Sequence, residues 1–158
     1  MNARTGGQVT GPTDPPEISD AASGRAVAGR DVRAFLGLAS AALLLAAVAG
    51  AGYAVRPVVV LAVVVAAAVT ATFPASPAPA GLCVVAVFVL LSGDIGFTVW
   101  LAVAASMLHT VHVLAGLAEI IPMRARAEVG ALVPTARRWL RTQVVTVPVL
   151  VVLVALLT

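Results

Sequence analysis

Charged residues are scarce in this chain, and their scarcity is the first guide to its class. Of 158 residues, 11% are charged and 61% are hydrophobic, and the mean hydropathy is +1.06. A soluble domain carries about 25% charged and about 45–50% apolar residues. The polar groups are too few to cover a core of this size in water. The composition therefore predicts an integral membrane protein surrounded by lipid.

Lysine is absent, and all ten basic side chains are arginines. A chain rich in alanine, valine and arginine but without lysine is similar to the small multi-span membrane proteins of high-GC bacteria. The sequence pI is about 10.5, and such basicity can indicate nucleic-acid binding. Here the arginines flank apolar segments instead of forming a stripe with interleaved aromatics. We therefore expect no nucleic-acid partner and attribute the arginines to membrane topology.

Cysteine occurs once, which excludes an internal disulfide and a CxxC metal site. Cys83 lies in an apolar run and is expected to be a small buried hydrophobe. The sequence also lacks the GxSxG, HExxH, phosphate-loop and dinucleotide-binding patterns of common enzymes. These absences predict a protein that is not an enzyme and has no cofactor or metal site.

The apolar residues fall into five segments separated by proline, glycine and arginine. Residues 1–31 precede them, are rich in glycine, proline and acidic residues, and are predicted to form a disordered cytoplasmic tail. Residues 32–158 are predicted to form the membrane bundle. The fold class is thus all-α, a polytopic transmembrane helical bundle with spans at about 34–55, 57–73, 77–91, 95–121 and 139–158.

The third segment is the shortest of the five. It is separated from the fourth by the turn-forming sequence Ser92-Gly93-Asp94. A helix over 77–91 is too short to cross a hydrocarbon core of about 30 Å without local thinning. The segment could also pack inside the bundle or be re-entrant, and those alternatives stay open.

The distribution of arginines predicts the orientation of the chain. With five spans, and leaving aside Arg4 far out in the tail, eight arginines fall on the side of the N-terminal tail and only Arg56 falls on the other side. Because arginine-rich loops stay in the cytoplasm, we expect a bacterial inner-membrane protein with a cytoplasmic N-terminus and an external C-terminus. The eight are Arg25, Arg30, Arg33, Arg124, Arg126, Arg137, Arg138 and Arg141.

The end of the loop before the fifth span combines arginine with tryptophan. Arg137, Arg138, Trp139 and Arg141 are the residue types that anchor a helix at the membrane interface, since they pair with headgroups and sit at headgroup depth. The same loop could instead dock a cytoplasmic partner.

Ionisable side chains inside the apolar segments cluster on the fourth. They belong to a small, polar stripe whose members are three or four residues apart and so share one helix face. Intramembrane ionisable groups usually face a bundle interior or a wet cavity, and histidine exchanges protons near neutral pH. The stripe is therefore expected to be a packing seam, a proton or ion path, or a ligand-binding face. Its candidate functional residues are His109, His112 and Glu119. Its members are Thr98, Ala102, Ala105, His109, His112, Gly116 and Glu119.

Residues 109–116 read His-Thr-Val-His-Val-Leu-Ala-Gly. They resemble the H-x-x-H-V-x-x-G stretch on a late helix of cytochrome c oxidase subunit III, whose short bacterial members also have about five spans. The resemblance implies that His109 and His112 are structural residues near an oxidase core.

Taken together, these patterns predict a non-enzymatic subunit or accessory of a larger membrane assembly. The expected partners are the lipid bilayer and other membrane subunits or further copies of the chain. The alternative is a small proton- or ion-linked transport component that uses the polar face of the fourth helix.

Overall fold

The computed structural model describes residues 25–93 and 99–157. Residues 1–24 of the predicted disordered tail lie outside these ranges, as do Asp94 and the predicted start of the fourth span, whereas residues 25–31 of that tail belong to a short strand and the start of the first helix. The described chain is helical apart from its turns and one short two-stranded ribbon. Its elements are β1 (Ala26–Ala28), α1 (Gly29–Gly50), α2 (Pro57–Thr72), α3 (Ala78–Leu91), α4 (Val99–Ile120), β2 (Arg126–Glu128) and α5 (Val129–Leu157).

The ribbon joins two segments that are 100 residues apart, and no sequence pattern predicted it. β1 pairs antiparallel with β2, and Val27 is opposite Ala127. The pairing continues at both ends, because the amide of Gly29 donates to the carbonyl of Ala125 and the amide of Val129 donates to the carbonyl of Arg25, each at 2.9 Å. The ribbon therefore brings the N-termini of α1 and α5 to one end of the bundle, called here the ribbon end.

Gly29 is required where the chain leaves the ribbon and enters α1. A Cβ at this position would overlap the carbonyl oxygen of Pro122, which follows α4. The absence of a side chain thus lets the start of α1 approach the end of α4, so that the C-terminus of α4 also lies at the ribbon end.

α5 begins ten residues earlier than the fifth span predicted from the sequence. Residues 129–138, expected to be part of a loop, are helical. The first amide of the helix is satisfied by the ribbon bond to Arg25, and such bonds stabilise helix starts because the first four amides lack partners within the helix.

Consecutive helices run in opposite directions. The guanidinium of Arg33, one turn into α1, donates to the carbonyl of Thr72 in the last turn of α2. At the opposite end, Tyr53 shares a 3.2 Å hydrogen bond with Ser92. The C-terminus of α2 therefore lies at the ribbon end, and the C-terminus of α3 lies near that of α1. α1 is the central helix and packs against α2, α3 and α4, whereas α5 packs mainly against α4.

The core follows the inner face of α1, whose buried residues recur every three or four positions. Leu36 and Leu43 are fully enclosed there, and Val111 of α4 packs against the same core. The outward faces of the helices carry many exposed valine and leucine side chains. Exposed apolar area on this scale marks an interaction surface or a lipid-facing one.

Three helices, α1, α4 and α5, are long and apolar enough to cross a membrane. α2 and α3 are apolar but contain only 16 and 14 residues, which correspond to about 24 and 21 Å. The described structure is thus an all-α bundle with three helices compatible with membrane spans.

Candidate functional site on helices α4 and α5

The later part of the polar stripe of α4, at His112, Gly116 and Glu119, faces away from the core of the bundle, whereas Ala102 of the stripe is buried. The face directed at the core is formed by small residues, among them Val111, Ala115 and Ala118. His109 is half-buried, and His112 and Glu119 are exposed. The histidines and the carboxylate therefore do not line an enclosed interior path through the described chain.

The stripe residues His109, His112, Gly116 and Glu119 are divided between two open clefts on either side of α4. The first, called the α3–α4 cleft, has a volume of about 270 Å³ and lies beside the turn at residues 74–76. Glu119, His112 and Cys83 contribute its polarisable groups. His109 does not line this cleft, so the structure separates it from Glu119.

The second cleft lies between α4 and α5 and has a volume of about 470 Å³. His112 and Gly116 form a ridge that borders both clefts. This α4–α5 cleft is lined by His109, His112, Val113, Gly116, Leu117, Ile120, Thr135, Arg138, Trp139 and Thr142.

A hydrogen-bonded seam closes the inner side of the α4–α5 contact. The hydroxyl of Ser106 donates to Oε1 of Gln143, and Nε2 of Gln143 donates to the Ser106 carbonyl, both at 3.0 Å. One turn along, the indole Nε1 of Trp139 donates to the hydroxyl of Thr110 at 3.2 Å. Gln143 is only 8% exposed. Gln143 thus bonds to Ser106 and not to the histidines of the stripe.

Ser106 and Thr110 were not predicted as contact residues. A signal for them is present, since Ser106 and Thr110 are four residues apart on α4, just as Trp139 and Gln143 are on α5. Residues four apart lie on one face of a helix, so the two polar pairs can meet across one antiparallel contact.

His109 contributes an unsatisfied polar atom next to the α4–α5 cleft. Its Nε2 is buried and has no hydrogen-bond partner among the described residues, and the same holds for Oγ of Ser40. A buried polar atom without a partner is costly. A chain of hydrogen bonds from His109 to another titratable group is therefore not formed within the described part of the protein.

The predicted interface anchor is split between two sides of α5. Trp139 is half-buried through its bond to Thr110, whereas Arg137, Arg138 and Arg141 are exposed. Arg138 borders the α4–α5 cleft. Arg137 and Arg141 lie about 160° around the helix from Trp139, because each residue advances the helix by about 100°. They form the outward face of α5.

These arginines lie half-way along the bundle and not at its end. Trp139 bonds to Thr110, which is ten residues from the end of α4 at Ile120, or about 15 Å at the rise of an α-helix. Arg137 and Arg141 are each two residues from Trp139 and so lie within about 3 Å of that level.

Arg33, predicted only as a topology signal, makes three hydrogen bonds. Its Nη1 donates to the carbonyls of Ala71 and Thr72 at 3.4 and 3.1 Å, and its Nη2 donates to that of Ala118 at 3.4 Å. These carbonyls belong to the last turns of α2 and α4, where they lack partners within the helix. Arg33 therefore joins three helices at the ribbon end.

Within residues 25–93 and 99–157 no group of three or more His, Cys, Asp or Glu side chains is arranged to hold a metal ion. The arrangement on α4 and α5 consists of a satisfied seam, an arginine-bordered cleft and an outward arginine pair. The chain matches no family model, no curated protein and no solved structure.

Proposed function

We propose that this protein is a multi-pass protein of a bacterial inner membrane that serves as a non-enzymatic subunit or accessory of a larger membrane assembly. In this proposal it crosses the membrane five times, with the ribbon end and the N-terminal tail in the cytoplasm and the C-terminus outside.

The orientation is supported by the position of the arginines. The ribbon, the turn before it and the first turn of α1 hold Arg25, Arg30, Arg124 and Arg126 at one end, whereas Arg56 lies at the other. Such asymmetry favours a cytoplasmic ribbon end. Five crossings are supported by the alternating direction of the helices. The short α2 and α3 then require a bilayer that is locally thinned, at a modest free-energy cost.

The role as a subunit rests on one observation, the exposed pair Arg137 and Arg141 half-way along the bundle. An arginine at the centre of a spanning helix costs about 2.5–3.5 kcal/mol on insertion scales, and such residues usually pair with other polar groups. None of the described helices packs on the face of α5 that carries them. A partner subunit that presents an acidic side chain to this face would neutralise the pair.

The experiment is a mild-detergent pull-down of the full chain from its native membrane. The double variant Arg137→Gln/Arg141→Gln is compared with Arg124→Gln, an exposed arginine at the ribbon end. The proposal expects one or more membrane proteins to co-purify with the wild type and with the control but not with the double variant. Identical co-purification from all three would overturn it, as would a wild-type protein that purifies alone as a monomer. Loss of a homo-oligomer in the double variant would identify a second copy as the partner.

The rival proposal, a proton- or ion-linked transport component, is less well supported. His112 and Glu119 are exposed and His109 borders a different cleft from Glu119. Proton flux into proteoliposomes tests it, and flux that disappears in the variant His109→Ala/His112→Ala would favour it. The resemblance to an oxidase subunit is tested in the pull-down, where haem absorption in the co-purified material would support it.

A further inference from the structure

The α4–α5 cleft carries a positive charge that the α3–α4 cleft lacks. Among its lining residues Arg138 is a permanent cation, two are histidines, and none is acidic. The α3–α4 cleft has Glu119 and no arginine. The two clefts share His112 and Gly116, so the contrast comes from α5. An anion is therefore favoured in the α4–α5 cleft and disfavoured in the other.

The cleft is also amphipathic. The polar side chains of α5 at its border, Thr135, Arg138 and Thr142, are three and four residues apart and so form one line along the helix. Towards the ribbon end the α4 wall is apolar and is formed by Val113, Leu117 and Ile120. The polar groups that can hold an anionic head therefore lie together on the α5 side of the cleft.

The cleft opens sideways between two helices that are both long and apolar enough to span a membrane. In a bilayer, the molecules that reach such an opening are lipids. An arginine at this depth draws headgroups towards itself, because local thinning of the bilayer and snorkelling lower the cost of the buried charge. A lipid headgroup can therefore serve as the counter-ion of Arg138.

We propose that the α4–α5 cleft binds the phosphate group of an anionic lipid. The guanidinium of Arg138 pairs with the phosphate oxygens, for which its planar array of donors is suited. The hydroxyl of Thr135 donates to the same group. The inference is independent of the proposed subunit role, since it concerns the cleft side of α5 and not the face that carries Arg137 and Arg141.

Trp139 provides a reporter, because it lines the cleft and is one of only two tryptophans. The background variant Trp100→Phe leaves it as the sole tryptophan. The full chain in this background is reconstituted into phosphatidylcholine vesicles to which brominated phosphatidylglycerol is added, and quenching of the Trp139 fluorescence is measured. Brominated phosphatidylcholine in place of phosphatidylglycerol measures non-specific contact.

The proposal expects saturable quenching by phosphatidylglycerol at lower mole fraction than by phosphatidylcholine. Arg138→Gln should weaken the apparent affinity for phosphatidylglycerol about 10-fold or more, as expected for loss of a charged hydrogen-bonded pair. Arg138→Lys keeps the charge but not the planar array and should give a smaller loss. Arg124→Gln removes the same charge outside the cleft and should leave quenching unchanged.

Added inorganic phosphate separates the two sources of the anion. Displacement of the brominated lipid by millimolar phosphate would assign the site to a free anion and overturn the lipid proposal. Equal quenching by the two lipids would overturn it, and so would an Arg138→Gln variant that binds phosphatidylglycerol like the wild type. Thr135→Val, which changes one hydroxyl at the border, repeats the test should Arg138→Gln fail to give the wild-type helical circular-dichroism spectrum.

Discussion

The seam between α4 and α5 allows a quantitative test through Gln143. The substitution Gln143→Leu keeps the side chain large and removes two hydrogen bonds of 3.0 Å to Ser106. Hydrogen bonds between membrane helices contribute about 0.6 kcal/mol each on average and at most about 1.7 kcal/mol. The expected loss in the free energy of unfolding is therefore about 1–3 kcal/mol. The Ser106 carbonyl keeps one partner, since the Thr110 hydroxyl also donates to it, whereas the Ser106 hydroxyl loses the acceptor to which it donates.

A double-mutant cycle isolates the bond between the two side chains. Unfolding by denaturing detergent is measured for Gln143→Leu, Ser106→Ala and the double variant, and the coupling energy should be about 0.6 kcal/mol or more. Thr142→Val is the matched control, because the Thr142 hydroxyl bonds only within its own helix, to the carbonyl of Arg138. Additive effects of the two seam substitutions, or an equal loss in the control, would refute the contact between α4 and α5 described above.

Further predictions concern the ribbon end and are checked by the same unfolding measurement. Arg33→Met should destabilise the fold by about 1–3 kcal/mol, because the bonds of Arg33 to helix-terminal carbonyls are lost. Its control is Arg30→Gln, which breaks one exposed ion pair with Asp31 at 3.6 Å and should cost less than about 1 kcal/mol. An equal effect of the two would contradict the role given to Arg33. Gly29→Ala should destabilise by about 1–3 kcal/mol because of overlap with the carbonyl at Pro122. Gly81→Ala, where an added Cβ meets nothing within 4 Å, should be neutral or stabilising by up to about 1 kcal/mol; similar losses at both glycines would contradict the close approach at Gly29.

The five helices could be predicted from the sequence because each depends on local composition. A run of apolar residues bounded by Pro57, by the prolines at 74–79 or by the turn at Ser92 is sufficient to locate each one. The ribbon could not be predicted, because each strand has only three residues and forms only through a partner 100 residues away. The early start of α5 follows from the ribbon and was missed for the same reason.

The orientation of α4 about its axis was the main feature of the site that the sequence did not determine. Polar residues in a membrane helix are expected to face the interior, yet Val111 and Ala118 face α1 and His112 does not. Small residues permit close helix packing, and α4 has them on both sides, at Ala115 and at Gly116. Size alone could not decide between the two faces. The face of α4 that turns inward is the one that packs against the large leucines of α1.

Arg138 and its neighbours show how a correct choice of residues can still leave their roles open. The sequence identified Arg137, Arg138, Trp139 and Arg141 as a group suited to the membrane interface. The structure places them on different sides of one helix, with Trp139 in the seam and Arg138 at the cleft. The difference arises because adjacent residues on a helix are about 100° apart, so a cluster in the sequence is not a cluster on one surface.

The most direct test of the account is the labelling of single cysteines in intact cells with a membrane-impermeant maleimide. Cys83→Ala gives a cysteine-free background, since Cys83 is the only cysteine. The account predicts labelling of Arg56→Cys and Ser92→Cys from outside, and labelling of Arg124→Cys and Ser76→Cys only after the membrane is permeabilised. Labelling of Ser76→Cys from outside would contradict five crossings, and labelling of Arg124→Cys from outside would contradict a cytoplasmic ribbon end.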